Sequence, residues 1–170
     1  MLGGKPLDAW PKDVLRGLFS AIFQDFVKYQ FPVNDNIGFG ALESRNDHNI
    51  VSAAEMAGAA KFIESLPEKY ETMLGKPLGG EDLSVGEWQK LATARALIRD
   101  ARIIILDEPT FGLGWRQKQT LVRFINKILN KKHCIIISHD EQFIHSICDK
   151  VLELDSKSIM QNPDLVREQR

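Results

Sequence analysis

Two adjacent carboxylates, Asp107 and Glu108, follow directly after the apolar run formed by residues 103–106. Acids delivered at the end of a buried strand need a charged partner or a metal ion, because an isolated buried charge is costly. Carboxylate oxygens are good Mg²⁺ ligands, and phosphoryl transfer needs both a metal and a residue that orients the nucleophile. The pair therefore indicates phosphoryl-transfer chemistry, with Asp107 as the Mg²⁺ ligand and Glu108 as the base or the residue that orients the attacking water.

A second group of chemically useful residues lies in 83–90, which read Leu-Ser-Val-Gly-Glu-Trp-Gln-Lys. Ser84 and Glu87 have the spacing of a capping box, in which each side chain bonds the backbone N–H of the other at a helix start. A well-capped helix explains this spacing without any ligand. The functional alternative is a phosphate site, because a helix start presents free N–H groups and Gly86 would let the backbone approach a phosphate oxygen closely.

Strands and helices in alternation are predicted to position these residues. Residues 103–106 and 134–137 are β-branched runs without polar alternation, so both are predicted as strands buried on both faces. Between them, the apolar positions of 117–130 repeat at helical spacing, which predicts a parallel strand–helix–strand unit. A helix over 141–148 and an extended stretch over 151–154 are predicted to follow.

The segment 25–80 has a different pattern. Residues 49–66 are predicted as one alanine-rich helix, and the glycines and prolines that follow it mark loops. We therefore expect a helical insert in an α/β core. The polar residues 156–170 are expected to form a weakly ordered tail.

Composition narrows the class of protein. A chain of 170 residues suffices for one domain with a hydrophobic core. Its 22 Lys and Arg against 23 Asp and Glu give a net charge of −1, so no polycationic surface and no nucleic-acid partner are expected. No apolar run approaches the roughly 20 residues that cross a bilayer.

Four motifs, in order along the chain, resemble those of the ATP-binding domain of ABC transporters. Residues 23–25 resemble the Q-loop, 83–90 the signature motif, 103–110 the Walker B strand and 136–140 the switch-histidine loop. Residues 62–67 are also similar to the helical subdomain of exporters in this family. The resemblance extends from residue 20 to residue 155.

The resemblance implies an α/β fold, namely an incomplete P-loop NTPase (RecA-like) parallel-sheet core with an inserted helical subdomain. Residues 1–24 would be a remnant of the N-terminal core that ends in the Q-loop, and 25–100 the helical subdomain with the signature helix. Residues 101–155 would be the RecA-like core with Walker B and the switch histidine, and 156–170 a polar tail.

The resemblance also implies site residues. Glu108, His139 and Gln24 would act in catalysis, with His139 contacting the γ-phosphate of ATP. The Mg²⁺ site would be formed by Asp107 and by Gln24, which would also sense it. The nucleotide of an opposite subunit would be bound in trans by the signature residues Ser84, Gly86, Glu87 and Gln89. The implied cofactors are ATP and Mg²⁺.

The implied partners are a second nucleotide-binding domain, in a head-to-tail dimer, and the transmembrane domain of a transporter. The transmembrane domain would dock on residues 25–80. The chain would then lie in the cytoplasm, peripheral to the inner or plasma membrane.

The sequence also departs from the family pattern. It contains no P-loop (Walker A), which reads Gly-x-x-x-x-Gly-Lys and then Ser or Thr; the nearest match, residues 3–6, has proline in place of the hydroxyl. We therefore expect an N-terminally truncated domain that has unpaired strand edges and hydrolyses no ATP alone. Val85 replaces a signature glycine, Gly114 stands where an aspartate is expected after Walker B, and Asp140 stands where exporters often have arginine.

Three functions remain open at this level. The first is a fragment of an ATP-hydrolysing subunit that couples ATP binding and hydrolysis to transmembrane transport. The second is a non-hydrolytic partner that only completes the ATP site of another subunit through its signature motif. The third is an ABC ATPase used outside transport, which the exporter-like segment 25–80 disfavours.

Overall fold

A computed structural model describes residues 2–111, 113–129, 132–153 and 167–169. Its main sheet has β1 (Phe19–Ile22), β2 (Ile103–Asp107) and β3 (His133–Ile137), in that spatial order and all parallel. Ile22 pairs with Leu106, and Asp107 pairs with Ile137. The three strands therefore end at one edge of the sheet.

The predicted parallel strand–helix–strand unit is confirmed. Helix α6 (Trp115–Leu129) connects β2 to β3, and it begins two residues before the predicted start. Strand β1 is an addition that the sequence did not indicate. It is joined to the rest of the core by Ser20, whose hydroxyl donates a 2.6 Å hydrogen bond to the carbonyl of Ala96.

The prediction that both strands are buried on both faces is wrong. Side chains of β2 alternate between half-buried and buried, and those of β3 between exposed and half-buried. Ile135 and Ile137 are 49% and 53% exposed. The hydrophobic core contacts Cys134 and Ile136, so it covers only the opposite face of β3 among the described residues.

The helical insert is present, but it does not contain one long helix over 49–66. It contains α2 (Val33–Gly38), α3 (Asp47–Met56) and the short α4 (Ala60–Ile63). Short 3₁₀ turns lie at Leu42–Ser44, Lys69–Glu71 and Lys76–Leu78. The break after α3 falls at Gly58, whose φ of +66° ends a helix, and the N–H of Ala59 then bonds the carbonyl of Ala54.

Helix α5 (Val85–Leu97) contacts both the helical insert and the sheet. It packs on α2, α3 and β1, and its Leu91 and Ala94 are fully buried. The hydrophobic core continues through α5 into β2, where Ile104 and Leu106 are buried. The core is therefore shared between the helical insert and the sheet.

The remaining elements lie near the chain ends. Helix α1 is Lys12–Leu18, preceded by a 3₁₀ turn at Leu7–Ala9, and α7 is Glu141–Ile147, close to its predicted bounds. Strand β4 (Val151–Glu153) pairs antiparallel with β5 (Arg167–Gln169). Leu154, the last residue of the predicted extended stretch, and residues 156–166 and 170 of the predicted polar tail lie outside the described residues. None of the helices in the described ranges is long and apolar enough to cross a membrane.

Candidate functional site

The carboxyl end of β2 delivers the two predicted acids to the edge where all three parallel strands end. Asp107 is the last residue of the strand and is half-buried. Glu108 has a φ of +46°, a left-handed conformation that costs a non-glycine residue of order 1 kcal/mol. Its backbone N–H still bonds the carbonyl of Ile137, at 2.8 Å. The chain thus turns sharply at Glu108 while remaining attached to β3.

The carboxylate of Glu108 contacts the loop after β3. Its Oε2 lies 2.9 Å from Nδ1 of His139 and 3.4 Å from Oγ of Ser138, which donates to it. The side chain of Glu108 is 20% exposed, whereas that of His139 is 76% exposed. Glu108 is therefore held from one side, and the imidazole ring presents most of its surface to solvent at the same edge.

Asp140 fixes the loop that carries His139. Its carboxylate accepts hydrogen bonds from Lys118 of α6 and from the backbone N–H of Phe143, as an N-cap of α7. These bonds, that of Lys118 first, lower the pKa of Asp140. The N–H of Asp140 in turn donates to Ser138 Oγ at 3.2 Å. The acid that stands where exporters often have arginine therefore joins this loop to α6 and α7.

The signature residues form the predicted capping box at the start of α5. The backbone N–H of Ser84 donates to Glu87 Oε2 at 2.8 Å, and the N–H of Glu87 donates to Ser84 Oγ at 3.3 Å. The hydroxyl of Ser84 also donates to the same carboxylate, at 2.7 Å. Ser84 is exposed and Gly86 is half-buried, so the helix start faces solvent.

Gln89 was expected to bind a nucleotide of another subunit, and its side chain here has a partner in its own chain. Its Nε2 donates a 3.1 Å hydrogen bond to the carbonyl of Pro109, directly after Glu108. The bond joins α5 to the turn that carries the two acids.

Gln24 follows the end of β1 by two residues and is exposed. Because Ile22 pairs with Leu106, the register brings Gln24 to the same sheet edge as Asp107 and Glu108. The structure therefore brings Gln24, the two acids and His139 to one edge. The signature start at Ser84 belongs to a separate, solvent-facing helix end.

Two contributors to the site were not predicted from the sequence, namely the hydroxyl of Ser138 and the ammonium of Lys118. Ser138 lay inside a recognised motif, and its position next to His139 was the available signal. Lys118 had no such signal, because its bond to Asp140 joins residues 22 positions apart through tertiary packing.

The donor set fits Mg²⁺ and a phosphate. Asp107 offers hard carboxylate oxygens, which Mg²⁺ prefers, and Glu108 offers a second carboxylate that can accept a proton from water. The exposed imidazole of His139 and the exposed amide of Gln24 can donate hydrogen bonds to phosphate oxygens. This arrangement can support metal-assisted attack of water on a phosphate.

Comparison with known proteins agrees with this geometry. The model of the family described as ABC transporter matches residues 1–111. The ATP-dependent lipid A-core flippase of Alcanivorax borkumensis is 32% identical over 161 residues, which are 95% of this chain and 27% of the flippase. The beta-(1→2)glucan export ATP-binding/permease protein of Agrobacterium vitis is 33% identical over 161 residues, with the same two coverages.

A solved structure is also similar. The structure of a bacterial Atm1-family ABC exporter with ATP bound matches with a TM-score of 0.72 and 30% sequence identity. The match covers 84% of this chain and 24% of the exporter chain. The chain therefore spans about a quarter of the length of these relatives.

Proposed function

Because the chain belongs to the ABC transporter family, we propose that it forms part of an ATP-binding domain that couples ATP hydrolysis to transmembrane transport. The family and the α/β parallel-sheet fold that the motifs predicted are confirmed. The contact of 2.9 Å between Glu108 and His139, at the edge where Asp107 ends β2, carries the proposal of hydrolysis.

In this proposal Glu108 accepts the proton of the attacking water or orients that water. Its carboxylate is suited to this role because His139 and Ser138 hold Oε2, while Oε1, which has no hydrogen bond to the described residues, would face the water. His139 would contact a phosphate oxygen, and Gln24 would sense the Mg²⁺ site. Asp107 would hold Mg²⁺, and that ion would supply positive charge against the phosphate during hydrolysis.

The proposal needs a P-loop from outside these 170 residues, because their sequence does not contain the P-loop motif. The backbone amides and lysine of a P-loop cradle the phosphates of ATP. They would be supplied by other residues of the same protein or by another chain. We therefore expect the 170 residues alone to hydrolyse no ATP, and an ATPase signal from them that Glu108→Gln removes would contradict this.

The test of hydrolysis uses the assembled transporter and the substitution Glu108→Gln. Glutamine keeps the size of the side chain but removes the base, so kcat should fall by about 10²- to 10⁴-fold. Glu141→Gln is the matched control, because Glu141 is an exposed glutamate at the start of α7. Its turnover should equal that of the wild type. Unchanged turnover in Glu108→Gln would refute the assignment.

We also propose that the start of α5 acts on ATP held by a second nucleotide-binding domain, in a head-to-tail dimer. Its support is the exposed Ser84 at the start of a helix, where N–H groups and the helix dipole favour a phosphate. Gly86, Glu87 and Gln89 would contribute to the same surface. This action in trans also fits the alternative function, a non-hydrolytic partner that completes the site of another subunit.

Ser84→Arg tests the action in trans, because a bulky side chain would block the helix start. Hydrolysis at the site of the partner subunit should be abolished. Ser84→Thr is the control, since threonine keeps both the cap and the hydroxyl. Normal hydrolysis by the partner beside Ser84→Arg would refute the proposal. If Ser84→Arg blocks hydrolysis while Glu108→Gln has no effect, the non-hydrolytic function is favoured.

Membrane coupling is assigned to residues 25–80. We propose that this segment docks on the cytoplasmic ends of transmembrane helices, which places the chain at the cytoplasmic side of the membrane, peripheral to it. The two relatives are named for different cargoes, a lipid A-core and a glucan, so a role in export is proposed here without a particular cargo. Cross-linking of the assembled transporter tests this docking site. Absence of cross-links between segment 25–80 and the transmembrane partner would contradict it.

A further inference from the structure

Arg95, in the last turns of α5, makes an unusual set of contacts with the segment that follows Gln24. Its Nη1 donates to the carbonyl of Val27 at 3.0 Å, and its Nε donates to the carbonyl of Asn36 at 2.8 Å. Its Nη2 donates to Oδ1 of Asn36, also at 2.8 Å. Three separate N–H groups of one guanidinium therefore bind two residues of the segment 27–36.

The partner side chain, Asn36, is fully buried and has a second function. Its Nδ2 donates to the carbonyls of Tyr29, Phe31 and Pro32, at 3.0, 2.9 and 3.2 Å. Asn36 thus bonds three backbone carbonyls between residues 29 and 32, and Arg95 bonds Asn36 to α5. The segment that leaves Gln24 is bound to α5 through side chains rather than through a β-ladder.

An arginine is specifically required by this geometry. The Cζ of Arg95 lies 4.4 Å from the ring centroid of Tyr29, a cation–π distance. Burial lowers the pKa of Arg95, because the charged form loses solvation, so the guanidinium needs these partners. A lysine has one compact ammonium and cannot reproduce the three-way fork or the stacking.

We propose that Arg95 is a positioning residue that holds segment 25–32, and with it Gln24, in a fixed place relative to the helix that begins at Ser84. The inference rests on the proposed function, because it links two elements of that ATP site. The contacts of Arg95 make segment 25–32, with Gln24, move together with α5 when either element contacts nucleotide.

The attachment of segment 25–32 to α5 through Arg95 is called the lock below. Trypsin cleavage after Lys28 tests it in the protein purified at its natural length. Lys28 is exposed in the locked segment, and Lys61 is an exposed reference in α4. Arg95→Lys keeps the number of trypsin sites. Because it removes hydrogen bonds from a charged donor, cleavage after Lys28 should become about 10-fold faster. Cleavage after Lys61 should stay within about twofold of the wild type.

Arg99→Lys is the matched control one turn along. Arg99 donates to the carbonyl of Arg16 at 3.0 Å, and none of its hydrogen bonds within the described residues reaches segment 25–32, so its substitution should leave the cleavage at Lys28 unchanged. Equal acceleration at Lys28 and Lys61 in Arg95→Lys would mean general loosening and would overturn the lock. Unchanged cleavage at Lys28 would overturn it as well.

A double-mutant cycle on ATP turnover of the assembled transporter tests whether the lock acts through Gln24. Gln24→Ala and Arg95→Lys should each lower kcat by about 10-fold, and the double variant should be no slower than the slower single variant. Effects that multiply to about 100-fold would overturn the positioning role while leaving the proposed function intact. Absence of turnover in the wild type would refute the proposed function, and the trypsin result would still support or overturn the lock.

Discussion

Gly40 is a position at which one added methyl group should strongly destabilise the molecule. It follows α2 and lies against the last turns of α5. A Cβ at Gly40 would lie 1.8 Å from the carbonyl oxygen of Arg95 and 2.7 Å from Cγ2 of Ile98. The first atom belongs to the backbone and cannot rotate away. Gly40→Ala would therefore have to move α5 and the segment after α2 apart.

The size of the effect follows from that distance. Contacts of Cβ closer than 3.0 Å are essentially never seen, so the two backbones must separate by more than 1 Å. Overpacking of this kind costs about 1–3 kcal/mol or more. The reduced entropy of the unfolded chain returns about 0.4–1 kcal/mol. We expect Gly40→Ala to lower the free energy of unfolding by about 2 kcal/mol.

Gly17→Ala is the control. Gly17 lies in α1, and a Cβ there would meet nothing within 4 Å. This substitution should raise the free energy of unfolding by about 0.4–1 kcal/mol, because alanine favours a helix and restricts the unfolded chain. The assay is urea unfolding of the protein at its natural length, followed by tryptophan fluorescence, to which the buried Trp88 contributes. Gly40→Ala within about 0.5 kcal/mol of the wild type would refute the close approach of the two backbones.

Three further predictions concern the hydrogen bonds of the site and of α5. Asp140→Asn removes the ion pair with Lys118. The ion pair lowers the pKa of Asp140 in the folded state. The stability that the ion pair contributes is therefore present above about pH 4 and is lost as the pH falls further. Urea midpoints of wild type and variant should differ at pH 7, and the difference should shrink as the pH falls through the lowered pKa of Asp140; a constant difference would contradict this reasoning. Ser84→Ala should cost about 1 kcal/mol in the same assay and Ser84→Thr only a few tenths, since threonine still caps α5; equal losses would argue against the cap. Asn36→Leu should cost about 3 kcal/mol or more, because it leaves buried carbonyls and one N–H of Arg95 unpaired, and a neutral result would count against the network.

Much of the fold was predictable because its signals are local. The isoleucine runs of β2 and β3 and the helical spacing of α6 lie within single elements, so their periodicity indicated them correctly. Strand β1 is four residues long, with Ser20 and Ala21 among them, and becomes a strand by pairing with β2. No periodicity within so short a run can reveal that pairing.

The incorrect predictions failed because a local sequence pattern does not show the backbone conformation of one residue or the packing around an element. Residues 49–66 are rich in helix-forming residues, but Gly58 adopts a left-handed φ and ends α3. The apolar character of β3 indicated burial on both faces, whereas burial depends on which elements cover each face. The assignment of Gln89 to a nucleotide rests on its motif and stays a prediction, and the bond between its amide and Pro109 depends on tertiary packing that no motif shows.

The sequence by itself determined the family, the order of the motifs and the capping box between Ser84 and Glu87. Residues three positions apart at a helix start meet because helix geometry brings them together, whatever surrounds them. Only the tertiary structure decided that His139 contacts Glu108 and that Arg95 binds Asn36, which is 59 residues away. Such contacts depend on the register of parallel strands and on helix packing, and neither is encoded in any short stretch of the chain.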